Sequence, residues 1–227
     1  MVSLLTLGFG LPIHEAVGTS LAAMFFVTLS GAISHYREGN TYTRAGLLVG
    51  IFGSIGAVLG ADVGNRIPEH VLQPLAGFAL WGLAAMVYLR SRVKNKTAGK
   101  DEPEHFEPTP RQTVGTVGLG LTGGVASAFF GVGMTPFFQL GMLTILRMPL
   151  VKTIGTTMLA LIFVSLSGSV ALARQGHVSY PHLIGATIGM TIGSYIGAKF
   201  TNKAPLPVLR AAIVLTPFTA GTLLLIS

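Results

Sequence analysis

The chain carries one stretch twice, the second copy displaced by 137 positions. Pro12 answers to Pro149, and Val17-Gly18-Thr19-Ser20-Leu21 answers to Ile154-Gly155-Thr156-Thr157-Met158. Phe26-Val27 and Leu29-Ser30-Gly31 recur as Phe163-Val164 and Leu166-Ser167-Gly168, and Arg37 and Gly39 recur as Arg174 and Gly176. The register then holds without a gap through Gly56 and Gly193, Gly60-Ala61 and Gly197-Ala198, and Asn65 and Asn202, to Pro68 and Pro205. Whatever the first copy folds into, the second is built to fold into as well. In a membrane chain, doubled halves of this kind mark a transporter core whose site lies where the copies meet.

Both copies are apolar on the scale of a bilayer. Charged residues make up 10% of the chain and its mean hydropathy is +0.66. The apolar blocks reach the roughly 20 residues that a bilayer-crossing helix needs. Blocks at 15–34, 45–64, 71–89, 154–173, 182–200 and 207–226 read as spans, each ended by charge, Pro or Gly. The block 114–146 is too long for one ordinary span and is interrupted by Gly131, Gly133 and Pro136. Pro breaks a helix there and Gly frees the backbone. It reads as two limbs, 114–130 and 137–146, which either cross fully or form a re-entrant hairpin. The expected fold is all-α, a polytopic membrane helix bundle of two inverted repeats with about seven spans plus short broken or re-entrant limbs. Its parts are a first repeat at 1–90, a polar linker at 91–112 and a second repeat at 113–227.

Charge fixes the parity. If the two limbs return the chain to the side it left and the linker is cytoplasmic, 13 of the 15 Lys and Arg lie inside, with Arg66 and Arg174 outside. A single crossing would leave 9 inside and 6 outside. The positive-inside rule selects the first topology. It also turns the second half upside down relative to the first, which is the arrangement that supports alternating access. The limb at 114–137 has no counterpart 137 positions earlier, because that place falls before Met1. The first repeat therefore reads as N-terminally incomplete, with a truncated start. It would leave an apolar groove for lipid, a partner or a second copy in a homodimer.

Several chemistries are excluded. The chain has no cysteine, so disulfides, thiolate nucleophiles and Fe–S clusters are out. The net charge of +7 comes mainly from basic residues in loops between spans, as a membrane topology requires, and does not indicate nucleic acid. His14-Glu15 lacks the second His of H-E-x-x-H, and the six histidines are scattered, so no enzyme, metal or cofactor is expected. Residues from Gly118 to Gly123 spell G-x-G-x-x-G, but no Asp or Glu follows Glu107, and a dinucleotide site needs one about 20 positions on. These glycines read as packing. So do Gly46, Gly50, Gly53, Gly56, Gly60 and Gly64, and Gly185, Gly189, Gly193 and Gly197, whose spacing lines one helix face.

The candidate substrate-binding residues are Gly18, Thr19, Ser20, Gly155, Thr156 and Thr157, together with Gly131, Gly133 and Pro136 of the break. Each Gly-Thr-Ser/Thr segment sits near the start of a span with an apolar limb before it. Hydroxyls and free backbone N–H groups at a helix start suit an anion, because the positive end of the helix dipole lies there. The alternative is that the hydroxyls bond to their own helix or to a neighbour. Ser30 and Ser167 read as packing, and Arg37 and Arg174 either attract anions at opposite faces or anchor the interface by snorkelling. Glu15, His35 and Asp62 stand at span ends; Asp62 aligns with Lys199, which reads as topology bias and not as a proton relay, and coupling through Glu15 or Asp62 stays open.

Taken together, these residues resemble the TauE/SafE sulfite-exporter family, also called the 4-toluene sulfonate uptake permease family. The resemblance rests on the Gly-rich limb from Gly123-Gly124 through Gly131 and Gly133 to Pro136. It rests equally on the segments from Leu11-Pro12 to Gly18-Thr19-Ser20 and from Met148-Pro149 to Gly155-Thr156-Thr157, and on the Arg-x-Gly turns. It covers essentially the whole chain. It implies a multi-pass permease of the bacterial inner membrane, moving a small anion such as sulfite, a sulfonate or another organosulfur anion through the lipid bilayer. Family members usually open with a Gly-rich first limb like that at 114–136, which this sequence lacks. The alternative is therefore a non-transporting membrane subunit or truncated paralogue that docks a partner through its incomplete first repeat.

Overall fold

A computed structural model of the chain describes residues 1–92, 109–131, 134–201, 215 and 218–225. After a short π-helical turn at Leu4–Gly8 come α1 (Ile13–Arg37), α2 (Thr43–Asn65), α3 (Glu69–Arg92), α4 (Pro110–Phe130), α5 (Thr135–Thr144), α6 (Leu150–Arg174) and α7 (Tyr180–Thr201). A last helical stretch covers 218–225. No strand occurs among the described residues. Helices are the outcome that a bilayer imposes, since no water is present to satisfy an open backbone. Among the described residues, α1, α2, α4 and the Val151–Arg174 part of α6 are both long and apolar enough to cross. The chain is a multi-pass membrane helix bundle. Two more helices, α3 with 24 residues and α7 with 22, have a spanning length.

The helices outrun the apolar blocks. Those at 15–34, 45–64, 71–89, 154–173 and 182–200 each lie inside a longer helix, because the backbone ladder continues through the polar residues at the membrane interface. Pro12 and Pro149 set the starts of α1 and α6, both with extended backbone at ψ 143° and ψ 147°. The linker 91–112 is trimmed at both ends. Helix α3 runs to Arg92, and a capping box between Thr109 and Gln112, with Pro110 in the first turn, starts α4. Residues 93–108 lie outside the described residues, as does most of the block 207–226.

Contacts give the directions of the helices. Gly18 faces Leu172 and Gly31 faces Met158, so α1 and α6 are antiparallel. Gly53 lies against Gly120 and Gly124, Gly56 against Leu121, Gly60 against Val125 and Gly64 against Phe129, so α2 and α4 are parallel. Gly115, Gly123 and Gly141 lie against Ile145, Phe138 and Leu119, so α5 folds back along α4. At ten residues, α5 is about 15 Å long and does not cross. The limbs at 114–130 and 137–146 thus become a full-length helix and a half-length return. The α4–α5 hairpin brings the chain back toward the face it left. On that face lie Arg37, Arg44, Arg111, Arg147 and Lys152, and on the opposite face lie Arg66 and Arg174 with Glu15, Asp62 and Glu69.

Close packing explains the first glycine stripe but not the second. A Cβ at Gly56 or Gly60 would strike the α4 backbone at Leu121 or Val125, and one at Gly124 would strike the carbonyl of Gly53. Of the G-x-G-x-x-G stretch, Gly120 belongs to this seam and Gly123 packs on Phe138 of α5, while Gly118 meets nothing within 4 Å, which corrects the packing expectation there. By contrast, Gly185 and Gly189 meet nothing within 4 Å. They stand 137 positions from Leu48 and Phe52, not from glycines, so the expectation of tight packing there is corrected. The side chains around Gly193 and Gly197, the true counterparts of Gly56 and Gly60, are outside the described residues.

Candidate functional site

The two Gly-Thr segments make reciprocal contacts. Thr19 Oγ1 accepts a hydrogen bond from Ser179 N at 2.9 Å, and Thr156 Oγ1 accepts one from Tyr42 N at 3.0 Å. Each donor is itself displaced from the other by the same 137 positions. A Cβ on Gly18 would strike the carbonyl oxygen of His177, and one on Gly155 would strike that of Asn40, again residues at the same displacement. Each half therefore sends the loop after its long helix across to press on the first turns of the other half's long helix. The loops themselves match, with Gly39 at φ 71° and Gly176 at φ 81°. Asn40 N bonds His35 O, and His177 N bonds Leu172 O. Phe218 stacks on Trp81, its counterpart, with centroids 5.6 Å apart and planes 14° from parallel.

This geometry revises the expected site in two ways. First, the pairs Thr19-Ser20 and Thr156-Thr157 are not at helix starts. Since α1 begins at Ile13 and α6 at Leu150, they stand in the second turn, where backbone N–H groups are already in the helix ladder. Both Thr19 and Thr156 are fully buried, with their hydroxyls engaged by the opposing loops. Second, the two segments do not converge on one point. The pairings of Gly18 with Leu172 and of Gly31 with Met158 place Thr19 and Thr156 about 22 Å apart along the antiparallel axis. A small anion cannot touch both at once. One segment lies toward each face.

The break between α4 and α5 gathers the other candidates. Gly131 ends α4 at φ 62° and Met134 precedes α5 at φ 43°. A left-handed methionine is strained by about 1–2 kcal/mol. Ser20 Oγ donates to Gly131 O at 2.9 Å, and a Cβ on Gly131 would come within 2.7 Å of Val17 Cα. The break is thereby seated on α1. Pro136 lies in the first turn of α5, whose N-terminal N–H groups open into this region. Gly133 lies outside the described residues. Thr157 stands apart from Ser20; its hydroxyl donates back to Thr153 O at 2.7 Å and lies 3.5 Å from Met142 Sδ at the far end of α5. Between Thr113 and Thr144 the chain carries no Asp, Glu, Lys or Arg, so the break itself offers dipoles and hydroxyls, at the face that also carries Glu15, Asp62 and Glu69.

One residue here escapes sequence reasoning. Ser127, one turn before Gly131, is fully buried and its Oγ has no partner. Other helical hydroxyls bond back to carbonyls, as Ser165, Ser167 and Thr122 do. The fixed 137-residue displacement could not have exposed it, because its counterpart position precedes the chain. Near the basic face, Thr41 and Thr153 also keep buried, unpartnered hydroxyls. A cavity of about 480 Å³ lies elsewhere, between Leu4, Leu5 and Phe9 and the α7 residues His182, Gly185 and Gly189. Its walls are mostly apolar, with the His182 ring among them. No cluster of three or more His, Asp or Glu able to hold a metal occurs among the described residues.

Comparison with known proteins agrees with this architecture. The family model described as sulfite exporter TauE/SafE matches residues 1–224. The chain is 40% identical over 225 residues to "Probable membrane transporter protein YdhB" of Bacillus subtilis (strain 168), covering 99% of this chain and 90% of that protein. It is 27% identical over 190 residues to a "Probable membrane transporter protein" of Xylella fastidiosa (strain Temecula1), covering 84% of this chain and 70% of that protein. No solved structure matches. A match of this extent assigns the chain to the TauE/SafE sulfite exporter family, a family of membrane transporters and not of enzymes.

Proposed function

We propose that the chain is a permease that moves a small anion, sulfite, a sulfonate or another organosulfur anion, across the bacterial inner membrane by alternating access between two inverted repeats. The basic face, with the 93–108 segment, is cytoplasmic under the positive-inside rule. The reciprocal pair of bonds, Thr19 to Ser179 and Thr156 to Tyr42, carries this reading. A transporter that opens to one side at a time needs two seals of the same construction, one at each face. Here Gly18 and Thr19 form one with the 175–179 loop, and Gly155 and Thr156 form the other with the 38–42 loop. The anion rests at the α4–α5 break, level with the Gly18–Thr19 seal, held by Ser127, by the Gly131–Pro136 turn and by the positive end of α5, while Ser20 braces Gly131.

The test is anion flux into vesicles carrying the pure protein. Thr19→Val leaves Ser179 N without its acceptor, and Thr156→Val does the same to Tyr42 N. Each change costs about 1–3 kcal/mol at its seal. The double variant is expected to lose about tenfold or more of the flux. If the folded double variant transports sulfite and sulfonates as the parent does, the seals are assigned wrongly. If the parent protein moves none of these anions until another membrane protein is added, the docking-subunit reading replaces the permease.

A further inference from the structure

The face opposite the basic one holds a cluster of titratable groups for which anion binding has no use. His14 on α1 and His177 in the α6–α7 loop place their rings 5.1 Å apart, tilted by 32°. His14 Nδ1 lies 3.5 Å from Glu69 Oε1 of α3, and its Nε2 lies 3.2 Å from Gly64 O near the end of α2. His177 Nε2 lies 2.6 Å from Asn65 Oδ1. In the same loop, Gln175 donates to Asp62 at 2.9 Å, and Ser179 Oγ lies 2.8 Å from His182 Nδ1 of α7. Glu15 also faces the pair from α1, and exposed Arg66 and Arg174 share the face. His177 is the residue whose carbonyl presses on Gly18. The imidazole pair therefore sits on the seal itself.

The other seal has no such pair. The residues 137 positions from His14 and His177 are Val151 and Asn40, neither of which titrates. One construction is used twice, and only this copy carries an imidazole pair; the other has the single ring of His35, whose carbonyl holds Asn40 N. We propose that the His14–His177 pair is a proton-binding site, and that taking up a proton opens the mouth on this face.

The sign follows from the surroundings of His177. Burial lowers its pKa below the usual imidazole value and His14 pushes it the same way, while Glu15 and Glu69 pull it back up. A sealed mouth thus favours neutral His177, which still donates from Nε2 to Asn65. Protonation places a cation against the His14 ring in a partly dry site, and release of the loop relieves this by hydrating both rings. The seal is fully stable above the ordinary imidazole pKa of the open state and weakens as pH falls from there toward the lowered pKa of the sealed state. Each pKa unit gained on opening shifts the ratio of open to sealed protein by about tenfold.

This inference rests on the permease reading, and one experiment separates the two. Because the chain has no cysteine, Leu172→Cys puts a single thiol in the buried contact between α6 and Gly18 beneath the loop. Its labelling by an impermeant thiol reagent is measured relative to Tyr180→Cys, an exposed position on the same face (66% exposed). The ratio is expected to rise, by up to about tenfold, between about pH 8 and about pH 5. Adding His177→Asn, which copies Asn40 of the other seal, should flatten that rise while melting at pH 8 stays near the parent's. His14→Gln, which keeps a hydrogen-bonding side chain, should reduce it. A ratio that stays flat, or rises fully without His177, overturns the proton site even where flux is normal. A rise that needs His177 in a protein that moves no sulfur anion supports the proton site and sinks the permease reading.

Discussion

Gly155→Ala is expected to lower the thermal stability of the detergent-solubilised protein by about 1–3 kcal/mol or more, and Gly18→Ala by a similar amount. Two terms compete at these positions. Alanine in place of glycine favours a helix by about 1 kcal/mol. Against this, the new Cβ at Gly155 meets the carbonyl of Asn40 and comes within 2.8 Å of Thr41 Oγ1, and at Gly18 it meets the carbonyl of His177. A flexible side chain could swing aside, but a carbonyl cannot. Asn40 and His177 are tied by their own N–H groups to His35 O and Leu172 O, and the neighbouring N–H groups hold Thr156 and Thr19. Moving either carbonyl breaks its loop. The clash therefore outweighs the helix gain. Gly185→Ala is the internal control, since its Cβ meets nothing within 4 Å and its melting should match or exceed the parent's. The two harmful changes lie at opposite faces, so their effects should add to within about 0.5 kcal/mol. A Gly155→Ala protein as stable as the parent would mean that the seal is not close-packed.

What the sequence makes legible here, and what it hides, divides along physical lines. Apolar blocks of bilayer length announce helices, because a helix alone satisfies its backbone within one segment. Their ends are misjudged at Pro12 and Pro149, where the helix starts earlier than hydropathy does. The 137-residue spacing between Thr19 and Thr156 is visible as text, and in space it becomes two matched bonds. The partners of those bonds are hidden, because Tyr42 and Ser179 make them with backbone N–H groups and the two residue types differ. The Gly-Thr segments look like one split anion site because position along a helix says nothing about which end faces which neighbour. Only the antiparallel run of α1 against α6 separates them. Ser127 is hidden for a further reason, since a serine in a membrane helix usually bonds to its own backbone and sequence does not reveal the exception.

That exception yields the sharpest test of where the anion rests. Ser127→Ala removes a fully buried hydroxyl with no partner. If the hydroxyl has only a structural role, its loss should be neutral or mildly stabilising, because an unpaired buried donor is itself a cost. If it awaits a charged ligand, its loss removes a hydrogen bond worth about 1.5–3 kcal/mol. That corresponds to a rise of about 10- to 100-fold in the half-saturating concentration of the anion. The expected result is the combination of unchanged or raised melting temperature with a weakened apparent affinity, measured as concentration-dependent flux. Ser20→Ala should behave differently, because Ser20 already donates to Gly131 O. Its loss should lower stability and flux together by loosening the break from α1. The two serines thus separate binding from support at the same place in the fold. A Ser127→Ala protein with the parent's half-saturation would move the anion away from the α4–α5 break, while one that fails to fold would require a contact for Ser127 that its burial and missing partner do not supply.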